Sequence, residues 1–171
     1  MSELSRLKKV CRYASIVMGV AAVVLSVLAV GFAVIGIWSM ADGSISVQFF
    51  TDWLHLDENA DGVVKVSACI QLVLIIALGS FTVAMLGMIM RSVSAEHSPF
   101  TRENAKRMKL MALSYLISSF LLLILGILRG MNVSEIIFLF LGTLLVSVVS
   151  YCLALMCMYG RILQEESDTT L

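Results

Sequence analysis

One proline and very few charges set the first limits on this chain. Pro99 is the single proline, and eleven glycines are spread over 171 residues, which leaves little material for long loops. Asp, Glu, Lys and Arg make up 14% of the chain, where a soluble domain carries about 25%. Hydrophobic residues reach 60% and the mean hydropathy is +0.98. So much apolar surface cannot be hidden in one small core, because exposed area falls only slowly with size. A water-soluble globule is excluded, and lipid must cover much of the surface.

Paired cysteines are also lacking. Cys11, Cys69, Cys152 and Cys157 form no CxxC motif, and Cys152 and Cys157 fall on different faces of a helix. Thiol redox chemistry needs an accessible, activated thiolate with a partner, so these residues read as small apolar packing elements.

Charge is absent from four long runs, Tyr13–Ala41, Val66–Met90, Leu110–Leu128 and Ile136–Gly160. A hydrocarbon core about 30 Å thick takes roughly 20 helical residues, and each run reaches or nearly reaches that length. Only helices and closed barrels satisfy their backbone in lipid. Barrel strands alternate polar and apolar residues, whereas LVLIIALGSFTVAMLGMIM does not. The fold class is therefore all-α, an integral membrane four-helix transmembrane bundle forming a single membrane domain. Its spans are predicted at roughly 14–40, 64–90, 109–128 and 135–160, with an outer loop at 41–63, a cytoplasmic loop at 91–108 and a cytoplasmic tail at 161–171. Residues 2–12 read as a short interfacial helix running into the first span.

Orientation follows from the basic residues. All Lys and Arg except Lys65 and Arg129 fall in the N-terminal segment, the second loop and the tail. The excess of basic residues marks the cytoplasmic side, so both termini are predicted to be cytoplasmic in a multi-pass protein. His55 and His97 then lie in loops on opposite sides and cannot share a metal or haem.

Few stretches offer chemistry. Asp57–Gly62, DENADG, matches the first half of a calcium loop. The twelfth position, where a bidentate Glu belongs, is Ala68, so a solvated turn is expected. The four charge-free runs contain no His either, which removes the usual marks of proton relays and ion paths. Small polar residues at helical spacing read as helix contacts: Ser114, Ser118, Thr143, Ser147 and a GxxxG formed by Gly126 and Gly130. A ligand cleft lined by Ser119 and Tyr151 is the lesser reading. No catalytic residue, no cofactor and no metal is expected, and the chain reads as no enzyme.

The second loop and its exit read AEHSPFTRENAKRMKLMA. Ser98 or Thr101 can cap a new helix, and Glu103 suits its positive end. Arg102, Lys106 and Lys109 share one face, beside Arg107. The tail GRILQEESDTTL continues the last span, with Arg161 and Glu165 spaced to pair. Arg102, Lys106, Arg107 and Lys109, with Gln164, Glu166 and Asp168 from the tail, form the expected docking surface for a partner or lipid headgroups. The tail is expected to fold against the basic loop.

Two of these motifs carry a resemblance. Pro99, Phe100, Thr101 and Asn104 fit a "PF-T-x-x-N" opening of the third helix, and Gly160, Leu163, Gln164, Glu166, Asp168 and Thr170 fit a "G-x-x-L-Q-x-E-x-D-x-T" tail. With four spans at this spacing, the chain resembles a bacterial four-span membrane protein family known as domain of unknown function 2975. The resemblance implies placement in the bacterial cytoplasmic (cell inner) membrane. It brings no activity and no catalytic residues. The family's genes tend to neighbour small Cro-like helix-turn-helix regulators, which implies a cytoplasmic helix-turn-helix transcription regulator as partner, with no direct nucleic-acid binding by this chain. The reading is a non-enzymatic membrane protein that binds or signals to such a regulator, with the lipid bilayer and a homo-oligomer as further partners. The alternative is a small transporter or channel subunit acting as an oligomer.

Overall fold

A computed structural model of the chain describes residues 3–42, 61–96 and 99–169. Four helices account for nearly all of them: α1 (Glu3–Asp42), α2 (Gly62–Glu96), α3 (Arg102–Arg129) and α4 (Val133–Thr169). All four are long and apolar enough to cross a membrane. At 1.5 Å per residue, even α3 exceeds a hydrocarbon core about 30 Å thick.

The helices run past the predicted spans. The interfacial segment at the N-terminus is continuous with the first span in α1, and most of the predicted loop at 91–108 is helix: α2 continues to Glu96 and α3 begins at Arg102. Charge-free runs mark the stretch of a helix apolar enough to cross a membrane. They do not mark where its hydrogen-bond ladder ends, and Arg91 or Lys106 propagates a helix as well as Leu does.

The boundaries have local causes. Thr101 is extended (φ −102°, ψ 152°) and its hydroxyl accepts from Asn104 N at 3.2 Å, capping α3. Glu103 lies in the first turn, where the helix dipole favours an acid. At the other end Gly130 adopts φ 74°. Its N–H reaches Ile127 O (3.0 Å) and Met131 N–H reaches Gly126 O (3.1 Å), a left-handed glycine cap. Gly130 is thus the terminator of α3 and not the second half of a packing GxxxG. Asn132 then opens α4, accepting on its carbonyl from Glu135 N and Ile136 N.

Packing is serial. α1 lies on α2, α2 on α3 and α3 on α4, and no other pair of helices shares an extensive contact among the described residues. Most buried side chains are small or polar, among them Ala22, Ala68, Ala112, Ala154, Ser80, Ser119 and Ser147, while Leu78, Ile89, Met111 and Leu122 are the larger apolar ones inside. Most large apolar side chains face outward, with Phe138 79% and Ile37 70% exposed. Small inside and bulky outside is how helices associate in lipid, where close backbone approach replaces the hydrophobic effect.

Each interface has its own polar link. Between α1 and α2, Ser26 Oγ and Ser80 Oγ are 2.7 Å apart and Ser80 Oγ donates to Ala22 O. Gly36 faces Cys69 Sγ, and a Cβ at Gly87 would lie 3.2 Å from Met18 Cβ. Between α2 and α3, Thr82 Oγ1 and Tyr115 OH are 2.7 Å apart. Between α3 and α4, Ser147 Oγ donates to Ala112 O (2.7 Å) and Phe120 meets Phe140 edge-on. Gly126 lies under Ile136, its notional Cβ 3.1 Å from Cγ1.

Of the predicted contact residues, Ser118, Gly126 and Ser147 are buried, while Ser114 and Thr143 are half-buried. Thr143 Oγ1 bonds carbonyls of its own helix, Leu139 and Phe140. The seam of α3 toward α4 follows a seven-residue small stripe, Ala105, Ala112, Ser119 and Gly126, all buried. It opposes Ser147, Ser150, Ala154 and Cys157 on α4, also buried. A seven-residue repeat suits helices crossing at a shallow angle.

Candidate functional site

The starts of α1 and α3 and the ends of α2 and α4 gather at one end of the molecule. Ser94 Oγ of α2 donates to Lys8 O of α1 (3.4 Å), and Phe100 before α3 lies on Gly160 of α4. This end collects basic residues from each of the four helices, with Lys65 and Arg129 left at the opposite end, and the Pro99–Arg107 segment lies within it.

Asn104 organises that segment. It is completely buried, and its Nδ2 donates to Pro99 O at 3.1 Å, folding the turn back over the first turn of α3. Its Oδ1 accepts from Arg107 Nη1 at 3.0 Å, and the same nitrogen reaches Met88 O of α2 at 3.4 Å. A buried amide left unpaired would be costly, so the turn, α3 and α2 are tied through one side chain. The turn places Phe100 against α4. Gly160 has no side chain to oppose it: a Cβ there would stand 2.6 Å from Phe100 Cδ1 and 2.8 Å from Cγ. The Pro99–Asn104 motif and the motif that begins at Gly160 therefore meet, the Phe of one resting on the Gly of the other.

Beside this contact, α3 and α4 enclose a groove of about 450 Å³. Arg102, Lys106 and Lys109 stand on the α3 wall; Arg161 and Glu165 stand on the α4 wall, with Met158 and Ile162. Arg161 and Glu165 pair at 2.7 Å and Lys106 and Glu103 at 3.3 Å, both between exposed side chains. Such solvated pairs contribute little to stability and can be exchanged for other partners. The result is an apolar strip flanked by cations, suited to a negatively charged amphipathic surface.

The predicted docking residues divide accordingly. Arg102, Lys106 and Lys109 share the groove. Arg107 is half-buried and binds Asn104 and Met88, so it braces the fold. Gln164 and Glu166 are exposed on α4. Asp168 belongs to the last turn of α4, and its side chain lies outside the described residues. The tail reaches the basic wall as a straight continuation of α4 to Thr169, through Glu165, without folding back. Sequence reasoning paired Arg161 with Glu165 but missed the Phe100–Gly160 contact and the apolar strip of Met158 and Ile162. The absence of a side chain at Gly160, at the exit from a long apolar run, was the available signal for the contact.

Other candidates resolve differently. Ser119 is fully buried, its hydroxyl donating to Leu116 O, so it has no surface to offer a ligand, while Tyr151 is exposed. His55, His97 and Asp57–Ala60 of DENADG lie outside the described residues. Ala68, at the twelfth position of that motif, is fully buried within α2. Among the described residues no group of three or more His, Cys, Asp and Glu is placed to hold a metal ion. All four cysteines are free; Cys157 Sγ stands 3.7 Å from Met108 Sδ within the α3–α4 seam. At the opposite end buried Gln71 accepts from Arg129 Nη1 (3.3 Å) and donates to Met131 Sδ (3.4 Å), linking α2 to the α3–α4 turn.

No protein-family model, curated protein or solved structure matches the chain.

Proposed function

We propose that the protein is a multi-pass protein of the bacterial cytoplasmic membrane, with both termini in the cytoplasm, and that its basic end docks a cytoplasmic partner without catalysing a reaction. The observation that carries this reading is the groove between α3 and α4. Arg102, Lys106 and Lys109 face Glu165 across an apolar floor, so side chains with recognition value concentrate where the spans leave the membrane. The excess of basic residues at that end supports its cytoplasmic placement. Resemblance to the four-span family makes a small helix-turn-helix regulator the partner of choice, held at the membrane through an acidic surface.

The test is co-purification in mild detergent from the native host. The proposal predicts a stoichiometric DNA-binding protein with the wild type and its loss when Arg102, Lys106 and Lys109 are all replaced by Glu. A protein that purifies alone, with substrate-dependent flux in liposomes, supports the transporter alternative and overturns the proposal.

A further inference from the structure

A second groove, of about 800 Å³, runs along the α1–α2 hairpin. Ser15, Gly19, Ala22, Val23, Ser26 and Val30 form one wall; Ala77, Ser80, Phe81, Ala84 and Met88 form the other, and Arg91 stands at one end. Its depth is apolar. Of the three serines in the walls, Ser26 and Ser80 in the middle are bonded to each other and to Ala22 O, and Ser15 lies toward the Arg91 end, so the middle of the groove offers a polar substrate little to bind. The space beside Gly19 is open: a Cβ there would meet nothing within 4 Å. Flanking Val20 and Val27 are more than half exposed, so the groove opens onto what surrounds the hairpin.

Its length and polarity select the occupant. From Arg91 to Ala77 the helix rises about 21 Å. One leaflet with its headgroup region is half of about 40–45 Å, so the groove spans a single leaflet. Arg91 is exposed and lies at the end where each of the four helices contributes basic residues. Arg12 lies one turn before Ser15 on α1, at the same end. An acyl chain fits the apolar depth, and a negatively charged headgroup fits the mouth. We infer that the α1–α2 groove is a binding site for one anionic phospholipid of the leaflet facing the basic end, its phosphate at Arg91 and a tail along Gly19 and Ala84.

This inference rests on the membrane placement proposed above but not on partner docking. Membranes carrying the protein are first washed at alkaline pH. Release of the chain overturns the membrane placement and the lipid site together; retention supports the placement alone. The protein is then reconstituted into bilayers of equal phosphatidylglycerol and phosphatidylcholine, extracted in mild detergent, and its retained lipid read by native mass spectrometry. One lipid per chain is expected, with phosphatidylglycerol preferred about fivefold, the selectivity one basic residue near a charged surface supports. Arg91→Gln should lose the preference yet keep a lipid. Gly19→Leu, which fills open space, and Ala84→Phe, from the other wall, should lose the lipid itself while remaining folded by thermal unfolding. Arg102→Gln/Lys106→Gln, in the other groove, should change neither. Equal retention of both lipids by the wild type, an intact preference in Arg91→Gln, or lipid still bound in folded Gly19→Leu and Ala84→Phe would each overturn the site.

Discussion

Gly160→Ala adds one methyl group where the ring of Phe100 already stands. The new Cβ would lie 2.6, 2.8 and 2.9 Å from Phe100 Cδ1, Cγ and Cε1, against a comfortable carbon–carbon separation of about 3.5–4.0 Å. The ring must retreat by about 1 Å. Turning about its own axis does not help, because Cγ lies on that axis. The backbone behind it is held by the Thr101 cap and by Asn104 Nδ2 on Pro99 O. Overpacking of this kind costs about 1–3 kcal/mol. Against it stands a gain of about 1 kcal/mol from replacing a mid-helix glycine by alanine. The net change is a loss of about 0–2 kcal/mol. Gly142 supplies the control: it lies inside α4 and a Cβ there meets nothing within 4 Å, so Gly142→Ala should gain the full ~1 kcal/mol. Thermal unfolding in detergent compares the two, and a double-mutant cycle isolates the contact. With Phe100→Ala in the background, Gly160→Ala should become as stabilising as Gly142→Ala. If Gly160→Ala already stabilises as much with Phe100 present, the two motifs do not pack and the reasoning is wrong.

Three further outcomes follow from the same end of the molecule and from the α3–α4 turn. Asn104→Leu leaves Pro99 O and Arg107 short of a buried partner, and should cost about 1–3 kcal/mol and speed protease cleavage within residues 97–101. Thr101→Ala removes the α3 cap and should cost about 1 kcal/mol, read by thermal unfolding; an unchanged midpoint would deny the cap its role. Gly130→Ala forces a Cβ into φ 74° and should cost about 1 kcal/mol, whereas a Gly130 that mattered only for close packing would respond to Leu and tolerate Ala.

Much of this architecture was legible because long apolar runs follow a simple code. Four charge-free runs specify four helices, and basic residues sort to one end, Arg6 and Lys8 with Arg91, Arg102 and Arg161. The local pairs were legible too: Thr101 as a cap and Arg161 with Glu165 depend only on short spacing. What stayed hidden depends on neighbours distant in sequence. Gly126 and Gly130 look alike in the chain, yet one packs under Ile136 and the other terminates a helix, a difference set by backbone conformation. Small residues are so common in these spans that the stripe of Ala105, Ala112, Ser119 and Gly126 could not be told from Ser114 and Ser118 without the partner helix. Arg107 reads like its basic neighbours, and only its contact with buried Asn104 separates a brace from a docking residue. Ser26 and Ser80 are single hydroxyls in apolar runs until the hairpin brings them to 2.7 Å.

The proposed docking function requires the basic end to lie on the cytoplasmic side of the membrane. With the four native cysteines replaced, single cysteines at Thr101 and Thr169 can be probed in intact cells with a membrane-impermeant maleimide. Both are predicted to react only after the membrane is opened. Labelling of either from outside the intact cell would place the Arg102–Lys106–Lys109 groove away from the cytoplasm and contradict the proposed docking function.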